Sequence, residues 1–138
     1  MRTNSFRIFL AEVLLLSCVV PGLGCAKHAP GPSAANAQAI VGDWSVWQND
    51  TRAVSWHVRL SLRGTTVEGV KVYDQDEPVT RHLKGSTEPL CSFFLSDRGD
   101  ITGHTPDNAV LIGTLHGDKQ GISLTSAKGN FELRRMTP

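Results

Sequence analysis

The longest clean alternation in the chain runs from Ser55 to Leu62. Trp56, Val58, Leu60 and Leu62 interleave with Ser55, His57, Arg59 and Ser61. A period of two puts the first set on one face of a strand and the second on the other. Arg63-Gly64 then supplies a tight turn, so Thr65–Tyr73 is predicted to return as the second arm of a hairpin. In that arm the apolar parity changes between Val67 and the pair Val70 and Val72. Gly69 sits at the change, which predicts a β-bulge there. Further strands are predicted over Ile40–Trp47, Val79–Gly85, Leu90–Leu95, Ile101–His104, Ala109–Leu115, Gly121–Thr125 and Asn130–Met136. Turn sequences separate the later ones: Asp97-Arg98-Gly99-Asp100, Pro106-Asp107-Asn108, Gly117–Gly121 and Lys128-Gly129-Asn130. No segment of this region carries a helical apolar face. The predicted fold class is therefore all-β, a mostly antiparallel meander of eight or nine short strands. Recurrent strand glycines permit close backbone approach and sharp curling, which suits a small closed barrel and removes exposed sheet edges.

The pattern before Ile40 is different in kind. Arg2 and Arg7 precede an apolar stretch, Ile8–Val20, and small residues follow at Pro21-Gly22-Leu23-Gly24-Cys25. This is the layout of a secretory signal, residues 1–24. At 13 residues the stretch is shorter than the ~20 needed to span a bilayer as a helix. Glu12 interrupts it, at a cost of roughly 2.5–3.5 kcal/mol in a permanent span. Residues 25–39 are rich in Ala and Pro without a large apolar side chain, and read as a flexible tether. Within it, Ser33 can cap a short helical turn through Gln38. The folded domain is then 40–138.

Leu23-Gly24-Cys25-Ala26 resembles the lipobox of bacterial lipoproteins, in which the cysteine becomes the first mature residue and carries lipid. Gly24 fits the small residue before that cysteine, while Gly22 stands where the family usually has Leu. Leu15-Leu16-Ser17-Cys18 is a second candidate, and ordinary cleavage without lipid is a third reading. The resemblance implies lipidation of Cys25, a bacterial membrane partner reached through acyl chains such as palmitate, and no membrane span. Ala26, in place of Asp, implies the outer membrane under the enterobacterial rule. Lipidation at Cys25 and loss of Cys18 with the leader would leave Cys91 as a lone buried thiol in an apolar strand. A Cys25–Cys91 bridge requires that neither lipidation nor cleavage past Cys25 occurs.

A second resemblance lies in the domain. Gly42-Asp43-Trp44 at its start and Phe131-Glu132-Leu133-Arg134-Arg135 at its end are similar to the pattern of the calycins, the superfamily of lipocalins, fatty-acid-binding proteins and avidins. The resemblance implies that Trp44 closes the barrel base, with Arg134 or Arg135 stacked on its ring. It also implies an interior that can hold a small apolar ligand, although eight-stranded barrels are often filled by their own side chains.

Charge and chemistry add mainly exclusions. The chain has a net charge of +1, but Arg2, Arg7, Lys27 and Glu12 lie outside the domain, which itself is nearly balanced. Neutrality of that kind excludes a basic nucleic-acid footprint. No nucleophile motif, phosphate-binding glycine loop or metal-ligand spacing is present among the five histidines, so no catalytic, cofactor or metal residue is nominated. His57, opposite the apolar face, is expected in solvent, as is the acidic loop Asp74–Pro78. Trp47 and Trp56 are the candidate ligand or partner contacts, Trp47 because its parity opposes that of Trp44. The resulting expectation is an exported, outer-membrane-anchored, non-enzymatic barrel that binds a small apolar ligand or an envelope component. The alternative is a protein-interaction module, an assembly factor or inhibitor, acting through a patch at Trp47 or an edge strand.

Overall fold

The computed structural model describes residues 32–137. The expected leader with Cys18 lies outside the described residues, as do residues 25–31 of the expected tether, Cys25 among them. From Pro32 the chain is ordered against the barrel, through a backbone bridge between Pro32 and Ser96. A short helix, α1 (Ala34–Ala39), follows. Ser33 caps it, its hydroxyl accepting from the Asn36 backbone N–H at 3.1 Å. The Asn36 amide donates to the Ser96 carbonyl at 2.9 Å, and Ala37 and Ile40 are buried in the core. The last residues of the expected tether thus belong to the folded unit, because Ala37 and Ile40 bury apolar surface.

Nine strands follow in a meander: β1 (Gly42–Gln48), β2 (Thr51–Arg52), β3 (Trp56–Arg63), β4 (Thr66–Tyr73), β5 (Thr87–Leu95), β6 (Asp100–His104), β7 (Val110–Leu115), β8 (Gly121–Ser126) and β9 (Gly129–Arg135). From β3 onward each strand pairs antiparallel with the next, and β9 returns to pair with β1. Eight strands close the barrel, and β2 is an extra strand against the far end of β1. The all-β barrel expected from the alternation is the fold observed. Trp44, Val58, Leu60, Val67, Phe93 and Ile122 are among the inward residues that form one core. Gly103 faces inward where the wall curls tightly: a Cβ there would land on the Ser92 carbonyl oxygen.

Two local expectations are corrected. No strand forms over Val79–Gly85; that segment is turns with one bridge, Glu77 to His82. Its apolar residues, Val79 and Leu83, do not alternate and are exposed. Moreover β4 and β5 pair directly with each other, so no sheet edge is left for it. The bulge is also placed differently. β4 keeps an unbroken register with β3, from Arg63 opposite Thr66 to Trp56 opposite Tyr73. The irregularity lies between β4 and β5, where Gly69 faces Cys91 and Val70 faces Pro89, leaving Leu90 as the extra residue. Val67, Gly69, Lys71 and Tyr73 therefore share the inward parity, while Val70 and Val72 have the outward one. Position 69 is inward by parity and takes glycine because space is short: a Cβ would stand 2.6 Å from the Cys91 sulfur.

Candidate functional site

The barrel has two dissimilar ends. At the base, beside α1, Trp44 is fully buried and its indole N–H donates to the Ile40 carbonyl at 2.9 Å. Arg135, inward on β9, lies over the Trp44 ring with its guanidinium carbon 4.4 Å from the ring centre. The same guanidinium donates to the carbonyls of Ala39, Val41 and Lys119. Arg135, rather than Arg134, is thus the residue over Trp44.

Arg134 has the opposite parity. On the outer face its guanidinium carbon is 4.0 Å above the Trp47 ring, and it pairs with Glu132 at 3.1 Å. That hydrogen bond, helped by the positive charge, holds the Glu132 carboxyl below the usual carboxylate range. The Trp47 indole N–H donates to the Ser45 hydroxyl at 2.9 Å. Trp47 is half-buried under Arg134, at a shallow outer depression shared with Asn49, Asp50 and Ser123. It is therefore separated from the barrel interior.

The other end is open. A cavity of about 620 Å³ enters the barrel there. Val46, Cys91, Leu111, Leu124, Phe131 and Leu133 form its apolar wall, and Trp56, Lys71, Glu88, Asp107 and Lys128 stand nearer the rim. Its size lies within the roughly 300–1,000 Å³ common to small-molecule sites. Trp56, one of the two candidate contacts, lines it, while Trp47 does not. Burial pushes the Cys91 thiol up to about 11, which keeps it protonated and unreactive as a nucleophile at neutral pH.

Four rim residues form a cluster that the sequence reading did not nominate. The Lys71 ammonium lies 4.6 Å from the Trp56 ring centre and 4.7 Å from that of Tyr73. The Tyr73 hydroxyl donates to the Glu88 carboxylate at 2.8 Å, and desolvation together with that carboxylate pushes the phenol up to about 12. The His82 ring stacks on Tyr73 at 4.2 Å, with its Nε2 3.7 Å from Glu88. A signal for Lys71 and Tyr73 was present in the chain: the Arg63-Gly64 hairpin, counted back without a bulge, sets Lys71 opposite Val58 and Tyr73 opposite Trp56. Glu88 and His82 had none, because an irregular loop and a bulge separate them from any countable turn.

His57 also departs from expectation. It is 8% exposed, with Nδ1 2.8 Å from an Asp74 oxygen and Nε2 3.5 Å from Asp43. Arg59 holds Asp43 at 2.8 Å, and that hydrogen bond lowers the Asp43 carboxyl below its ordinary value. The expected solvation fails because β1 and the loop after β4 bring an aspartate to each side of the ring. Among the described residues no group of three His, Cys, Asp or Glu side chains is placed to hold a metal ion. Searches against protein-family models, curated proteins and solved structures return no match for this chain.

Proposed function

We propose that this protein is a non-enzymatic binding barrel, exported and anchored through Cys25 to the outer membrane, whose cavity takes up a small apolar ligand. The observation that carries the binding part is the cavity itself: about 620 Å³, apolar along its wall and open at one end. Export and anchoring rest on the leader and on Gly24-Cys25-Ala26. The binding test is calorimetric titration of the purified full chain with 1-decanol, a neutral apolar probe. One equivalent bound, together with a change in tryptophan fluorescence that Trp56→Phe abolishes, is the expected result. A chain that binds no neutral apolar probe rejects the reading. Anchoring is tested separately, by acyl labelling that Cys25→Ser abolishes; labelling that survives assigns the lipid to Cys18 or elsewhere.

A second reading, a protein-interaction module, draws support from the outer wall. Phe94, Thr102, Ile112 and Thr125 form a row across β5 to β8, and Ser92, His104 and Val110 form another. Neither row carries an acidic or a Lys or Arg side chain, and Val110 is 70% exposed and Ile112 50%. This surface, which reaches the Trp47 depression at Thr125, is where a partner protein would dock under that reading. Crosslinking through a photoreactive residue placed at Ile112 distinguishes it from ligand binding.

A further inference from the structure

We infer that the cavity selects an apolar molecule with an anionic head group, held at the rim by the Lys71 ammonium. The inference rests on the ligand-binding reading above and narrows it to a chemical class. An ammonium has three N–H donors and no acceptor. Trp56 and Tyr73 present ring faces to Lys71 at 4.6 and 4.7 Å, and among the described residues Lys71 forms no ion pair and no side-chain hydrogen bond. Ring faces attract a cation but do not replace oxygen acceptors for its N–H groups. The ammonium is thus oriented by two aromatic walls and leaves donors for an oxygen that the protein does not supply.

The acidic residues of the rim do not fill that role. Glu88 stands directly opposite Lys71 in the β4–β5 register, yet its carboxylate accepts from Tyr73 and lies near His82. Asp107 is engaged by the Thr105 hydroxyl, which holds its carboxyl below the ordinary value. Lys128, the other rim cation, makes no side-chain ion pair among the described residues. Each rim carboxylate thus has a donor from the protein other than Lys71. Lys128 lies near enough to Asp107 to help lower its carboxyl, which leaves Lys71 as the rim ammonium without an acidic partner among the described residues. A ligand carboxylate at Lys71 would complete its hydrogen bonding in a partly desolvated site, while the tail would cover Cys91, Leu111, Leu124 and Phe131.

The test compares decanoate with 1-decanol, equal in chain length and different in head group, on the purified full chain by calorimetry. Decanoate is expected to bind at least about tenfold more tightly than decanol, a charge-assisted contact being the difference. In Lys71→Gln that preference should vanish with decanol affinity retained, and Lys71→Arg should restore it. Equal affinity for the two heads in the unaltered protein, or a preference that survives Lys71→Gln, overturns the inference and leaves the cavity reading standing. Failure of both probes to bind removes the two together. The head-group comparison on the unaltered chain decides the matter even where Lys71→Gln folds poorly.

Discussion

The two ends of the barrel are built from the same pair of groups, a tryptophan beneath a cation, and use it in opposite ways. At the base, Arg135 covers Trp44 and spends its donors on the carbonyls of Ala39, Val41 and Lys119. The planar fork of five N–H groups can serve a ring face and several oxygens at once. The result is a plug: Trp44 is fully buried, and α1 is tied to the last strand. At the mouth, Lys71 covers Trp56 but finds no oxygen partner among the described residues. Trp56 stays half-buried and a cavity opens beside it. At the base the cation is satisfied and the end is sealed; at the mouth it is not, and the end is open.

This contrast can be broken most forcefully at the base. Trp44→Ala removes the largest fully buried side chain and is expected to cost about 3–5 kcal/mol, read from urea unfolding. Arg135→Ala strands its carbonyl partners and should cost about 1.5–3 kcal/mol, with loss of amide protection in α1. A cost near zero for Arg135→Ala would mean that the base is sealed by Trp44 alone.

Next in size is the alkaline limb of stability, which belongs to the interior and mouth. Cys91 is held up at about 11 against an ordinary 9.0 because burial disfavours the thiolate. Its folded state therefore binds the proton more tightly than the unfolded chain does. The contribution is complete below pH 9 and is lost as pH rises through 9 to 11. Tyr73, raised from 10.0 to about 12, carries the same sign into the next interval. The urea midpoint should fall across pH 9–11, and Cys91→Ala should flatten the first part of that fall. An unchanged slope in Cys91→Ala would remove the thiol from the account.

The smallest effect sharpens the comparison most. Lys71→Met keeps an unbranched side chain one heavy atom shorter and deletes a charge that no oxygen of the described residues satisfies. It should change stability by less than about 0.5 kcal/mol, or raise it, while Arg135→Met destabilises. Two cations over two tryptophans would then differ in sign, as expected if one serves the fold and the other a ligand. A loss at Lys71 as large as that at Arg135 would make both of them structural.

Much of the fold was legible in the chain. The alternation at Trp56–Leu62, the Gly64 turn and the spacing of later turn sequences are local physics, and they predicted β3, β4 and the meander that follows. The missed elements were non-local. β2 is the exception, a local two-residue hairpin off β1 through Asn49-Asp50, both at positive φ, whereas the segment over 79–85 lost its strand because β4 and β5 pair without it. Gly69 marked a real irregularity, but a bulge belongs to a pair of strands, and sequence cannot say which of the two carries the extra residue. At the site, Trp56 was legible as a large inward aromatic. Lys71 was hidden because a charged residue inside a barrel contradicts the usual reading of alternation, even though the hairpin count placed it there.

By itself, then, the sequence determined the all-β class, the order of the main strands, the separation of Trp47 from Trp44 by parity, and the tryptophan and arginine pattern at the chain's two ends. Parity and turn chemistry act over a few residues, so they can be read from a line of text. Tertiary structure decided which arginine meets Trp44, where the extra residue of the bulge falls, that His57 is buried between two aspartates, and that one end of the barrel is sealed while the other stays open. Those outcomes depend on which oxygens come within reach of each donor once the sheet has curled and closed, and that is a property of the closed barrel rather than of any one strand.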